Sequence, residues 1–231
     1  MSVRYAIYFS PAHGSPWWAF GAHWVGRDER NDTSLVQPLL AQITSGELLE
    51  LTAQPRRYGF HATLKAPFSL SGSHTVADLT ARLHALAATL RAVPLGPLQV
   101  TQLGDFVALV PEVATDELMA LAAACVTGLD DLRAPLSAAD LARRRIEQLN
   151  PREQELLHRF GYPYVLERFR FHFSLSGPVE PLAAQRVQQA VAGTVAQLNT
   201  MPLLVLDRLC LFVESAPGQP FKRIADAVLS A

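Results

Sequence analysis

The pattern Phe-His-x-hydroxyl-Leu occurs twice in this chain, as Phe60-His61-Ala62-Thr63-Leu64 and as Phe171-His172-Phe173-Ser174-Leu175. Each copy is followed by an amphipathic stretch of helical period and then by an apolar segment, Gln102 to Val107 after the first and Arg208 to Val213 after the second. An order of motif, helix and strand pair that recurs once predicts an internal duplication. The expected fold is therefore α+β and bilobal, each lobe an antiparallel sheet covered by helices, with the cleft between them. We place the first motif unit at about 55–131, a helical connector at about 132–163 and the second unit at about 164–229. Residues 11–50 read as an insertion into this single domain.

The local pattern supports strands at Arg4 to Ser10, Gly59 to Phe68, Arg168 to Gly177 and Leu203 to Val213, and a hairpin from Leu98 to Val110 turning at Gly104-Asp105. Helices are expected at Leu35 to Ile43, Thr75 to Arg91, Thr115 to Leu129 and Pro181 to Leu198, with a short one from Phe221 to Leu229. Between the units, Ser137 to Phe160 reads as a charged helical stretch restarted at Asn150-Pro151, since proline suits a first helical turn.

Alternation along a strand sorts each motif into two faces. Phe60, Ala62, Leu64 and Ala66 fall on one side of the first strand; Gly59, His61, Thr63 and Lys65 fall on the other. The second strand divides the same way, with Phe169, Phe171, Phe173 and Leu175 against Arg168, Arg170, His172, Ser174 and Ser176. One histidine on a polar strand face needs no function. Two strands that repeat histidine and hydroxyl in the same order are harder to explain by packing.

The chemistry this pairing suits is phosphoryl transfer. An imidazole titrates near neutrality, so one histidine can take a proton while the other gives one. Thr63 and Ser174, two residues on and facing the same way, can hydrogen-bond the non-bridging oxygens of a phosphate between them. Lys65 and Arg170 can add positive charge to the same cleft.

Other chemistries find less in the sequence. Neither polar face carries the acidic residues or cysteines that a metal site would add to histidine, so no metal and no cofactor are expected. Ser174 lies within a strand instead of in the Gly-x-Ser-x-Gly elbow of a serine hydrolase. There is no Gly-x-x-x-x-Gly-Lys-(Ser/Thr) loop for a nucleoside triphosphate. Cys125 and Cys210 sit in apolar contexts without a C-x-x-C spacing and read as buried structural thiols. With 20 basic and 21 acidic residues the chain has no bulk attraction for nucleic acid or anionic membranes, so any anion site is local. No segment reads as a signal peptide or membrane span, which makes a reducing cytoplasmic setting the expectation.

The duplicated His61-Ala62-Thr63-Leu64 and His172-Phe173-Ser174-Leu175 resemble the two-histidine (2H) phosphoesterase superfamily, from Arg4 to about Phe221. The contexts Arg57-Tyr58-Gly59-Phe60-His61 and Phe169-Arg170-Phe171-His172 are similar to a bacterial branch encoded beside phosphonate-utilisation genes. The resemblance implies two histidines facing one another across a cleft, and metal-independent opening of a cyclic phosphodiester, a 2′,3′-cyclic or sugar 1,2-cyclic phosphate. It implies His61 and His172 as the catalytic pair and Thr63 and Ser174 as phosphate-binding hydroxyls. A small-molecule phosphate ester, a nucleotide or an RNA terminus is the expected partner of a monomer. A non-catalytic phosphate-binding accessory protein and a 2′,5′ RNA ligase are the competing readings.

Several residues carry two readings. Tyr58 and the Trp17-Trp18 pair can stack on a base or, as large aromatics, close a small core. Tyr8 can face the cleft or the interior. Arg56 and Arg57 can steer a phosphate or simply be solvated. His13, His23, His74, His84 and His158 have no recurring partner, and Arg143-Arg144-Arg145 reads as a solvated helix face beside Glu147.

Overall fold

A computed structural model of the chain describes residues 3–144 and 146–230, without the side chains of Ala139 and Arg143. The chain begins with β1 (Arg4–Phe9), helix α1 (Pro16–Val25), the short ladder β2 (Arg27–Asp28) and β3 (Thr33–Ser34), and helices α2 (Ser45–Leu51) and α3 (Ala53–Arg56). The first motif leads into β4 (Ala62–Phe68), followed by α4 (Val76–Ala87), β5 (Val93–Pro94), β6 (Leu98–Leu103), β7 (Phe106–Pro111) and α5 (Asp116–Thr127). The connector holds α6 (Ala138–Arg143) and α7 (Pro151–Phe160). The second motif forms β8 (Phe173–Ser174), and α8 (Pro181–Asn199), β9 (Val205–Leu206), β10 (Arg208–Glu214) and β11 (Lys222–Val228) complete the chain.

Seven strands make one antiparallel sheet in the order β11-β10-β1-β4-β8-β7-β6, so the class is α+β. The two motif strands pair with each other at its centre, through Ala62 and Phe173. The hairpins are exchanged. The one that follows the first motif, β6-β7, lies beyond the second motif strand, and β10-β11, which follows the second, lies beyond β1 and β4. Helices cross over likewise, with α4 packed on β10 and β11, and α8 on β6 and β7. Even the small ladder of β5 with β9 joins Val93 to Leu206 across the two units.

The core lies between the sheet and these helices. Phe60 and Phe173 stack with ring centroids 4.6 Å apart, and Phe171 packs edge-on and Phe9 tilted against Phe173. Burying each such ring removes enough apolar surface to contribute about 1.5–3 kcal/mol. Helix α1 approaches this cluster closely: a Cβ on Gly21 would come within 2.0 Å of the Phe60 ring.

The 11–50 region contains its main helix earlier than the periodicity suggests. Ser15 caps α1 by accepting from Trp18 N, Pro16 occupies the first turn, and Gly26 ends it at φ 76°. The expected helix at Leu35 to Ile43 is absent, and the segment instead runs irregularly to the Thr44 cap of α2. Trp17 and Trp18 are buried, so of the two readings for this pair the structure supports packing. The C-terminal segment is a second correction. Expected as a helix, Lys222–Val228 is a strand paired with β10: Arg223 and Ala227 are buried while Lys222, Ile224 and Val228 are exposed, and a bulge between the Leu211–Ala225 and Phe212–Arg223 pairs sets Phe221 and Ala227 in clusters on opposite faces of the sheet. Arg223 hides that pattern by being a buried charge, held by Asp226 and Glu29.

Candidate active site

Each motif histidine sits just before its strand, fixed by its own backbone. Nδ1 of His61 bonds the Gly59 carbonyl at 2.9 Å, and Nδ1 of His172 bonds the Arg170 carbonyl at 2.7 Å. A carbonyl only accepts, so Nδ1 must be the protonated nitrogen of each neutral ring and Nε2 is left with a free lone pair. Gly59 adopts φ +76°, and a Cβ there would lie 2.4 Å from Glu29 Cβ. Glycine is thus needed to aim that carbonyl.

The pairing of Ala62 with Phe173 fixes the rest. Carried one residue either way, that antiparallel register sets His61 against Ser174 and Thr63 against His172, all four on one face. Each histidine therefore faces the other motif's hydroxyl. The two imidazoles stand on the diagonal, about 7–8 Å apart at the backbone, which leaves room for one phosphate. Thr63 Oγ1 lies 3.4 Å from His61 Nε2.

Two cavities of about 580 and 600 Å³ meet over this face, sharing Thr63, Ala66, Phe106 and Tyr162. His61 and Ser174 line the first; His172 and Arg170 line the second. Burial pulls His61 down to about 4, the charge of His172 acting in the same direction. Burial also lowers His172, against the opposing effect of its carbonyl bond. Tyr8 resolves toward the cleft, its ring 4.1 Å from His61, and Tyr58 stands 5.6 Å from the same ring while stacking on Phe221.

Lys65 is not brought to the cleft. Thr63 pairs with Tyr8, but Lys65 pairs with Ile7, so β4 bulges at Leu64 and its alternation reverses. The ammonium is buried on the helical side, bonded to Val126 O and Asp130, each at 3.0 Å. Arg56 is also turned inward, onto the carbonyls of Val25 and Leu49 and onto Thr52. Arg57 does line the cleft. Of the Arg143-Arg144-Arg145 run, Arg145 and the Arg143 side chain lie outside the described residues, whereas Arg144 covers the Tyr162 ring at 5.0 Å and lines the cavity.

Sequence reasoning missed Arg4, Phe106, Tyr162 and Arg144 as cleft residues. Arg4 carried a usable signal, since it shares the β1 phase of Tyr8. Phe106 carried a signal too, as it shares the β7 phase of Ala108, which pairs with Ser174, whereas Tyr162 and Arg144 come from the connector, where no period applies. Cys125 and Cys210 are buried free thiols pushed up to about 12 by burial. Among the described residues no three His, Cys, Asp or Glu side chains gather as a metal site would require, and no helix is long and apolar enough to cross a membrane.

The family model described as "Protein of unknown function (DUF1045)" matches residues 63–222, and the chain belongs to that family. The match takes in Thr63, His172 and Ser174 and begins two residues after His61. Among curated proteins, the chain is 40% identical over 226 residues, 95% of its length, to a protein of Janthinobacterium sp. (strain Marseille) named ribose 1,5-bisphosphate phosphokinase PhnN. A protein of the same name from Laribacter hongkongensis (strain HLHK9) is 32% identical over 220 residues, again 95% of the chain. The chain covers 49% and 50% of these two proteins, so it spans about half the length of the curated relatives it matches.

Proposed function

We propose that the chain is a paired-histidine phosphoesterase of the 2H type, which opens a cyclic phosphodiester without a metal ion. The observation that carries this reading is the crossed quartet of His61, Ser174, Thr63 and His172 on two adjacent strands, with both Nδ1 atoms tied to the backbone. His61, held down to about 4 by burial, stays neutral at physiological pH, which suits it as the base. A phosphate anion in the cleft favours the charged form of His172 and suits it as the acid. Water attacks phosphorus and gives its proton to His61 Nε2. The ring P–O bond breaks, and His172 Nε2 protonates the departing oxygen. One water is consumed, and a phosphomonoester and a free hydroxyl result. Thr63 and Ser174 hydroxyls hold the non-bridging oxygens as charge develops.

The relatives' name indicates that they act on ribose 1,5-bisphosphate, in keeping with a phosphate-ester role in phosphonate metabolism. Phosphokinase chemistry we assign to their other half, because this chain has no nucleoside-triphosphate loop. A sugar 1,2-cyclic phosphate opened at O2 retains its phosphate on C1, the kind of ester that name specifies.

The test is an assay of the protein against 2′,3′-cyclic nucleotides and sugar 1,2-cyclic phosphates in chelator, with products resolved by phosphorus NMR. His61→Ala and His172→Ala should each lower kcat by about 10²–10⁴-fold. Full activity in either variant, or activity abolished by chelator, refutes the reading.

A further inference from the structure

The two histidines and the two motif hydroxyls leave a buried phenol of the same cavity without a role. Tyr8 lines that cavity together with His61, Thr63 and Ser174. Tyr8 pairs with Thr63 across β1 and β4, and the register of Ala62 with Phe173 sets Thr63 against His172, so the three residues form one row over β1, β4 and β8. The Tyr8 ring lies 4.1 Å from that of His61 and is backed by Phe212 at 4.9 Å and Phe221 at 6.1 Å. Only 1% of the residue is exposed.

That small exposure belongs to the hydroxyl. It bonds none of the described residues, although a buried phenol ordinarily finds a partner. Among those residues Glu29 Oε2 is the only unpartnered side-chain nitrogen or oxygen sealed from solvent, so the Tyr8 hydroxyl opens on the cavity. For packing alone a phenylalanine would serve, as Phe212 and Phe221 do in the same cluster. Burial, with Tyr58 acting in the same direction, holds the phenol well above its ordinary value against the pull of Arg4. Tyr8 therefore keeps its proton near neutrality and is a donor there, not a base.

The reaction has a use for such a donor. When water attacks phosphorus, both non-bridging oxygens gain negative charge, and Thr63 and Ser174 offer one hydroxyl each. Those two hydroxyls stand on a diagonal of the crossed quartet, and Tyr8 is the cross-strand neighbour of Thr63. We infer that Tyr8 is a further catalytic residue, whose hydroxyl donates a hydrogen bond to the non-bridging oxygen that Thr63 also holds. No proton is transferred. The inference rests on the paired-histidine reading and adds a third donor to its transition state.

The experiment is Tyr8→Phe, which keeps the ring and removes only the hydroxyl. It is assayed on the 2′,3′-cyclic nucleotide or sugar 1,2-cyclic phosphate that the protein opens, and on both diastereomers of the matching cyclic phosphorothioate, in which sulfur, a weak acceptor, replaces one non-bridging oxygen. On the oxygen substrate kcat should fall by about 100-fold with KM within about threefold, because the donor acts on charge that develops in the transition state. One diastereomer already lacks the oxygen that Tyr8 holds, and on it the loss should be less than about threefold. A packing role would slow both diastereomers alike. Equal losses on the two, or an unchanged kcat on the oxygen substrate, overturns the assignment. If the protein opens neither kind of cyclic phosphate, the paired-histidine reading fails, and titration with inorganic vanadate, which mimics five-coordinate phosphorus, decides Tyr8 by itself. Binding weakened about tenfold or more in Tyr8→Phe upholds the donor; equal affinity, or no saturable binding at millimolar concentration, overturns it.

Discussion

Protonating His61 in the folded chain is costly, and that cost should be visible as acid sensitivity. Its value falls from the ordinary 6.5 to about 4, first through burial and then through the charge of His172. Above pH 6.5 the ring is neutral whether the chain is folded or not, and it contributes nothing to the pH dependence. Between pH 6.5 and 4 the unfolded chain binds the proton and the folded chain does not, so stability must fall as pH falls. Worked to pH 4, the loss is about 3 kcal/mol, a large part of the roughly 5–15 kcal/mol that holds a domain together. His61→Gln removes the titration while keeping a polar side chain in the cleft. Urea unfolding followed by fluorescence of the buried Trp17, Trp18 and Trp24 gives the midpoint at each pH. Between pH 7 and pH 4 the wild-type midpoint should drop by about 1 M more than that of the variant, for a slope near 3 kcal/mol/M. Equal drops in the two proteins would refute the claim that the cleft destabilises the imidazolium.

Other substitutions test the parts around this ring. Gly59→Ala forces a side chain onto φ +76° and into Glu29, so it should lower kcat by displacing the carbonyl that aims His61, with a loss of more than about 1 kcal/mol in thermal or urea melts. Thr63→Val and Ser174→Ala should each reduce kcat by roughly 10-fold or more while leaving the urea midpoint nearly unchanged, since each removes a donor to the developing charge. Lys65→Met should leave kcat/KM within about twofold of wild type and cost no more than about 3 kcal/mol, because Arg133 still pairs with Asp130. Trp24→Phe deprives the Leu175 carbonyl of its 2.7 Å bond and should cost about 1–3 kcal/mol by urea melt, without a change in the pH profile.

What the sequence shows depends on where period alone decides the outcome. The hairpin at Gly104-Asp105 and the helices after each motif follow from turn chemistry and apolar spacing, and β6, β7, α4 and α8 form within a few residues of their expected bounds. The faces of His61, Thr63, His172 and Ser174 follow from simple alternation. Lys65 does not, because a single extra residue at Leu64 reverses the phase, and a bulge is set by the partner strand. β11 was obscured by a buried arginine whose partners, Glu29 and Asp226, lie on different elements. Helix α1 was hidden by being apolar on nearly every side: it packs Gly21 onto Phe60 and buries Trp17, Trp18 and Trp24, so it lacks the polar stripe that gives a helix its period. Arg4, Arg57 and the buried Glu214 that pairs with both come from three distant stretches of chain, and only the tertiary fold brings them together.

The exchange of hairpins between the two motif strands has a consequence for the history and engineering of such a chain. In halves cut at the connector, β4 would keep β1 but lose β8, and β8 would lose both β4 and β7, exposing unpaired N–H and C=O groups along a central edge. Such a half is no smaller working ancestor, unless two copies trade hairpins as a dimer. Joined in one polypeptide, the halves are interlocked like clasped hands, and the face that carries His61, Thr63, His172 and Ser174 exists only where each has borrowed from the other.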